Sequence, residues 1–328
     1  MVRRRSLGSL GSMRILITGG FGYVGGRLAQ QLNNEGHQVI IGSRNICDSP
    51  SWMPKVKVVQ TDWNNGHSLE KICKGIDVVI HTAGMNVQDC DSDPVRALEF
   101  NGLATARLVS AAVRVGVKRF IYLSTAHVYS SPLTGNISEV SCPRNLNPYS
   151  TSHLAGENVV LNANQRGEIE GIVFRLSNAF GLPMDMNVNC WMLLVNDLCR
   201  QVVKTGKIIL RSSGMQQRNF ITLNNVCRAT SYFLNLQKDA LLDGLFNVGD
   251  DCSISVFDMA EIVASCSKVV LGFKPKIERV EPKINEKTVE LQYNISKLKS
   301  TGFVLIGSLD DEIIQTLKLS KNIQDSIH

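Results

Sequence analysis

Apolar residues along this chain come in short runs separated by amphipathic stretches. Runs at 14–18, 38–41, 56–60 and 77–81, with a helical pattern from the first run to about Glu35, predict strands and helices in alternation. The rhythm continues with a helix over 94–115, a strand over 118–124, a helix over 148–164 and a strand over 170–176. Alternation of this kind is the pattern of a parallel sheet covered by helices on both faces. After Gly181 the rhythm changes to a helix near 191–204, short strands around Ile208 and Phe220, a helix from Asn224 and a strand at 245–248. Another helix follows from Ile254, then a Lys/Glu/Pro-rich stretch over 274–290, then a terminal helix beyond Ser308. The fold class expected is α/β, a doubly wound parallel Rossmann sheet with a smaller mixed α/β substrate lobe. In these terms residues 13–177 form the dinucleotide-binding domain with a return segment at 220–247, and 178–219 and 248–328 form the lobe.

Composition narrows the class. With 328 residues, 44% apolar and 20% charged, the chain can bury a sizeable core. No apolar run approaches membrane-spanning length and none has signal-peptide form, so a cytoplasmic protein without membrane partners is expected. Nine cysteines carry no C-x-x-C pair and no spacing that suits zinc, which predicts reduced thiols and no metal site. The net charge of +6 is modest, and part of it sits in Arg3, Arg4 and Arg5 of a Ser/Gly-rich leader, residues 1–12, read as disordered. A basic stripe for nucleic acid is not seen within the rest of the chain.

The first strand runs into Thr18-Gly19-Gly20-Phe21-Gly22-Tyr23-Val24-Gly25, and a helical pattern follows at once. Both the G-x-G-x-x-G and the G-x-x-G-x-x-G spacing fit. Glycines there let backbone approach a pyrophosphate at the positive end of a helix, so Gly19, Phe21, Gly22, Tyr23, Val24 and Gly25 are candidate dinucleotide contacts. At the end of the second strand, where an acid would bind the adenine ribose, stand Ser43 and Arg44. A guanidinium matches a 2′-phosphate, so the cofactor reads as NAD(P) with a lean to NADP; an ordinary solvated arginine is the plain alternative. Asp62 and Trp63 end the third strand and Ala83 follows the fourth, all at the cofactor side. Asp62 could instead form a turn, and His81 could be a satisfied core histidine.

The fifth strand ends in Ser124-Thr125-Ala126-His127, and downstream comes Pro148-Tyr149-Ser150-Thr151-Ser152-His153. Tyr149 and His153, four apart, share a helix face. With Asn101 upstream, Arg175-Leu176-Ser177-Asn178 and Arg218-Asn219-Phe220-Ile221, this order of motifs resembles the extended short-chain dehydrogenase/reductase family from about Met13 to Phe303, and within it the NAD(P)-dependent nucleotide-sugar epimerases and dehydratases. The resemblance implies Thr125, Tyr149 and His153 as the catalytic set, with Ser124, Asn101, Tyr149 and His153 toward the cofactor. It implies Asn178 and Arg218 on substrate phosphates, and a homodimer through helices around Arg107 and Val159. Met85, Asn86 and Trp191 are candidate sugar contacts. One position departs: the family's Tyr-x-x-x-Lys is here Tyr-x-x-x-His. A neutral imidazole does less than an ammonium to lower the tyrosine pKa, although it can hydrogen-bond ribose.

Ala126 and His127 stand where the family's dehydratases carry an Asp-Glu pair, which argues against a 4,6-dehydratase. The remaining expectation is an enzyme acting on a nucleotide sugar, first as an epimerase with hydride removed and returned, with Tyr149 as acid/base and Thr125 sharing the proton. The alternatives are an NADPH-dependent ketosugar reductase, which Arg44 favours, and a catalytically weak dinucleotide-binding protein, which His153 favours. A second phosphate-binding arginine, common before the last helices of epimerases, is not found in 280–287, which has only lysines.

Overall fold

The computed structural model describes residues 11–286 and 288–325, so residues 1–10 of the expected leader and Lys287 lie outside the described residues. Seven parallel strands form the central sheet: β1 (Arg14–Thr18), β2 (Gln38–Ser43), β3 (Lys57–Gln60), β4 (Val78–His81), β5 (Arg119–Thr125), β6 (Glu170–Leu176) and β7 (Leu245–Val248). Their order is β7-β6-β5-β4-β1-β2-β3. This is a doubly wound α/β sheet, and the winding reverses between β1 and β4, which opens a crevice above their carboxyl ends.

Strands β1, β4 and β5 are buried on both faces, which is why they read as nearly unbroken apolar runs. Ile15, Ile17, Ile121 and Phe174 face one apolar layer, while Leu16, Val79, Phe120 and Val173 face the other. Each such side chain contributes about 1.5–3 kcal/mol by burial. A third apolar layer, built on Leu198, Val202, Phe220, Met259 and Ile313, fills the smaller lobe. There the strands are short: Asn178–Phe180, Gln217–Thr222 and Ser253–Ser255 form one three-stranded sheet.

The stretch expected as one helix over 94–115 is Pro94–Ala97, a π turn at Leu98–Leu103 and then Ala104–Arg114. A π turn of this kind widens the helix by one residue per turn, and here it carries Asn101. The helix expected from 191 starts at Leu194; Trp191 lies before it and donates its indole N–H to the Met186 carbonyl at 3.1 Å. The Lys/Glu/Pro-rich stretch holds a strand, Lys276–Glu278, parallel to Lys207–Ile209. Arg27 of the first helix (Tyr23–Asn34) pairs with Glu312 of the terminal helix (Leu309–Asp325) at 2.7 Å, and Glu312 also accepts the Leu182 N–H at 3.0 Å. This partly buried ion pair joins the first helix to the terminal helix. No helix among the described residues is long and apolar enough to cross a membrane.

Candidate active site

The turn after β1 is built for close backbone approach. Gly19 has φ +74°, and a Cβ there would lie 2.7 Å from the Ala83 nitrogen; a Cβ on Gly25 would lie 2.2 Å from the Gly19 carbonyl oxygen. Gly22 caps the helix Tyr23–Asn34 through its backbone alone, with no side-chain cap and no acid in the first turn. The first-turn N–H groups therefore face the crevice uncompensated, as an anion site requires. A pyrophosphate fits this cradle, which a Cβ at either glycine would fill. The side chains of Phe21 and Val24 pack on the core, and the Tyr23 hydroxyl donates to the Gly181 carbonyl at 2.8 Å, tying the turn to the smaller lobe.

At the end of β2, Ser43 accepts the Asn45 N–H at 3.3 Å, and Arg44 is exposed with its guanidinium 5.6 Å from the Phe100 ring centre. Among the described residues Arg44 has no carboxylate partner. Asp62 accepts the Asn64 N–H at 3.1 Å, the turn-forming geometry that was its plainer reading. Trp63 stacks edge-on against Phe100 and tilts over His81. His81 is a core histidine: its two nitrogens meet the Thr18 and Thr105 hydroxyls at 2.6 and 2.9 Å, and burial pulls its pKa down to about 3.

The helix Pro148–Gln165 is started by Asn147, whose side chain accepts the Tyr149 N–H at 2.8 Å, and by Pro148 at the first position. That cap fixes Tyr149 in the first turn, above the end of β5. Tyr149 and Thr125 line the same cavity, and the Thr125 hydroxyl favours the phenolate, but burial outweighs it and raises the Tyr149 pKa. The Tyr149 and His153 rings lie 4.5 Å apart, edge to face, as the four-residue spacing predicts. His153 is buried, and burial lowers its pKa to about 4, so the imidazole is neutral at physiological pH.

Ser124 and Asn101 are placed beside the site with their side chains already engaged. The Ser124 hydroxyl donates to Glu157 Oε1 at 2.5 Å. Asn101 Oδ1 accepts the Met85 N–H at 2.9 Å, and its amide donates to Ser152 Oγ at 3.0 Å, so it braces the tyrosine helix against the loop after β4. Glu157 and Arg175 form a fully buried bidentate pair, with Oε2 at 2.6 Å from Nη2. Sequence reading did not find Glu157. Its only sequence signal is a carboxylate on the buried face of a helix, two turns past Tyr149.

Thr125 and Tyr149 open into a cavity of about 350 Å³ whose far wall carries Asn178, Phe180, Leu194 and Arg218. Asn178 donates to the Asn219 carbonyl at 2.8 Å. Arg218 is half-buried, its charged form disfavoured by burial, and among the described residues it has no carboxylate or hydrogen-bond partner. It stands beside His127, whose pKa falls through burial and through this neighbouring cation. Among the described residues the cavity wall holds no Asp or Glu. Met85 and Trp191 do not line it; Val87 and Met192 do. Arg279, just upstream of the lysine stretch, lies 3.7 Å over the Phe257 ring and donates to the Ser213 carbonyl at 3.0 Å. The described residues contain no cluster suited to a metal ion.

A glycine turn with open helix N–H groups, and Tyr149 beside Thr125 at the carboxyl end of one parallel sheet, are the features of a Rossmann-type α/β fold. The chain belongs to the NAD dependent epimerase/dehydratase family, whose model matches residues 15–249. A Methanocaldococcus jannaschii relative that carries the provisional name UDP-glucose 4-epimerase is 25% identical over 317 residues, 94% of this chain and 98% of that protein. Human dTDP-D-glucose 4,6-dehydratase is 28% identical over 262 residues, 76% of this chain and 72% of that one. A Bacillus cereus UDP-glucuronic acid 4-epimerase, solved with UDP-glucuronic acid and NAD, superposes with a TM-score of 0.77 at 22% identity, covering 95% of this chain and 100% of that one.

Proposed function

We propose that this protein is an NAD(P)-dependent epimerase of a nucleotide sugar, working by transient hydride transfer. The observation that carries the reading is that Tyr149 and Thr125 line one cavity with the Arg218 guanidinium, which has no carboxylate partner among the described residues. Tyr149 takes and returns the proton of a sugar hydroxyl, Thr125 shares it, and Arg218 with Asn178 holds the diphosphate. His153 and Asn101 face the cofactor's nicotinamide end, and the glycine turn holds its pyrophosphate. A carboxylate pair for removing water is missing from the cavity wall among the described residues, which supports epimerisation over dehydration. The bound dinucleotide supplies the hydride acceptor.

A second reading, an NADPH-dependent ketosugar reductase, is favoured by two observations. Arg44 at the end of β2, where a 2′-phosphate would lie, has no carboxylate partner among the described residues. Tyr149 with a raised pKa and a neutral neighbour is a better proton donor than acceptor: even at an ordinary pKa near ~10, only about one phenol in a thousand is ionised at neutral pH. Denaturing the purified protein and identifying any released dinucleotide decides between them. Tightly held NAD in either redox state supports the epimerase; an empty protein that binds NADPH, and loses that binding far more than NADH binding in Arg44→Ala, supports the reductase. Turnover that survives Tyr149→Phe refutes both, and no turnover of any nucleotide sugar or ketosugar leaves the third reading, a dinucleotide-binding protein without catalysis. We further propose a homodimer through the helices 94–114 and 148–165, because Val95 and Leu98 of the first are 68% and 50% exposed. The division at 13–177 and 220–247 against 178–219 and 248–328 is part of the same reading.

A further inference from the structure

We propose that Tyr122 is a positioning residue that donates its phenolic proton to Nδ1 of His153 and so holds the imidazole as the Nε2–H tautomer, with that N–H turned toward the dinucleotide crevice beside Gly84. Tyr122 lies on β5, is 1% exposed, and its hydroxyl is 2.9 Å from His153 Nδ1. The two rings stack at 6.0 Å and 26°. The direction of the proton follows from the groups around it. Tyr122's other polar neighbour is the Thr105 hydroxyl, which donates to the Asn101 carbonyl at 2.7 Å and sits against His81 Nε2. With Thr105's own proton on the Asn101 carbonyl and His81 Nε2 against its oxygen, the Tyr122 proton has two acceptors in reach, the Thr105 oxygen and Nδ1 of His153, and the imidazole nitrogen is the more basic of the two. Were Tyr122 the acceptor instead, its buried O–H would have to turn to the Thr105 oxygen, the weaker acceptor and one already engaged by His81.

Among the described residues the opposite edge of the imidazole has no hydrogen-bond partner. A Cβ built on Gly84 would lie 3.4 Å from His153 Cε1 and 3.7 Å from Nε2, with Asn101 Oδ1 also at 3.4 Å, so the Cε1–Nε2 edge faces the loop after β4. Gly156 makes the arrangement possible: a Cβ there would lie 2.8 Å from the Tyr122 hydroxyl. The titratable groups that face His153 are Tyr149 on its own helix, Tyr122 on β5 and His81 on β4. None of them is a carboxylate, so nothing in contact holds a second proton on the ring. His153 therefore acts as a neutral donor with one fixed N–H. This rests on the reading above that His153 serves the nicotinamide ribose, whose hydroxyls are acceptors for such a donor.

The test uses the full-length protein with 15N-labelled histidine and two-bond 1H–15N spectra, in which His153 is identified among six histidines by the signal lost in His153→Gln. The expected wild-type signal has a protonated Nε2 and a bare Nδ1. In Tyr122→Phe that signal should move toward a mixture of tautomers, and the dissociation constants for NAD+ and NADP+ should rise about five-fold. A wild-type ring protonated at Nδ1, or unchanged nitrogen shifts in Tyr122→Phe, overturns the proposal. The wild-type spectrum decides the tautomer even if the variant does not fold. Should the spectra come out as expected while His153→Ala leaves dinucleotide affinity intact, the ribose assignment fails and the role of Tyr122 stands.

Discussion

Replacing His153 by lysine should pull the Tyr149 phenol back down. In the structure the two rings lie 4.5 Å apart, and burial dominates the raised pKa of Tyr149 because no cation stands beside it to offset the loss of water. For an ammonium taken at about 5 Å from the phenolic oxygen, and an effective dielectric constant of about 20, the attraction to a phenolate is about 3 kcal/mol, or roughly two pKa units. Part of this is lost because the new ammonium is itself buried beside Tyr122 with no carboxylate in contact, so a net fall of about one to two units is the figure to test. The assay is tyrosinate ultraviolet absorbance followed as pH rises, with Tyr149 isolated by subtracting the Tyr149→Phe spectrum in each background. It needs no substrate. A Tyr149 midpoint in His153→Lys equal to or above the wild-type value would refute the argument that the missing charge at position 153 sets this phenol.

Two further outcomes follow from buried groups. His81 and His153, with pKa values of about 3 and about 4, bind no proton in the native state across the range where an unfolded histidine, near ~6.5, does. Their folded values are depressed, so the stability they allow is complete above ~6.5 and falls as pH drops toward 4. Between pH 7 and 5 the two together should cost on the order of 4 kcal/mol. Urea unfolding at the two pH values checks this, and His153→Gln should lose about half of the difference; an equal slope in wild type and variant counts against it. Separately, Glu157→Ala leaves the Arg175 guanidinium buried without its carboxylate and removes the acceptor of Ser124. It should destabilise the fold by about 3–5 kcal/mol, read as a shift of the denaturation midpoint, and a loss under about 1 kcal/mol would mean that water enters to replace the carboxylate.

Strands buried on both faces were legible because burial writes itself as unbroken apolar runs, and β1, β6 and β7 have the bounds that the pattern predicts. Elements whose stability comes from elsewhere were not. The helix Gly66–Cys73 buries only Leu69 and Cys73 and begins on an Asn65 cap, and the three-residue strand Gly135–Ile137 exists because Leu291–Tyr293 pairs with it from far along the chain. Neither leaves a periodic signal long enough to read.

The site divides in the same way. Thr125, Tyr149, Asn178 and Arg218 line one cavity because each sits at a fixed offset from the end of a strand or the start of a helix, and such offsets are properties of the local chain. Proton positions are not. At position 153 the sequence shows a lost charge, and the structure adds what the sequence leaves out: a phenol from β5 bonded to one imidazole nitrogen, a glycine on the same helix that lets that phenol approach, and an open edge at the other nitrogen. Tyr122 occupies an inward position in an apolar strand, where sequence alone has no reason to separate it from core phenylalanines such as Phe120. If its proton is where the surrounding hydrogen bonds put it, His153 differs from a lysine in charge but still presents a donor on a set line. Loss of phenolate character at Tyr149 and retention of dinucleotide binding would then be separable properties, one restored by His153→Lys and the other weakened by Tyr122→Phe.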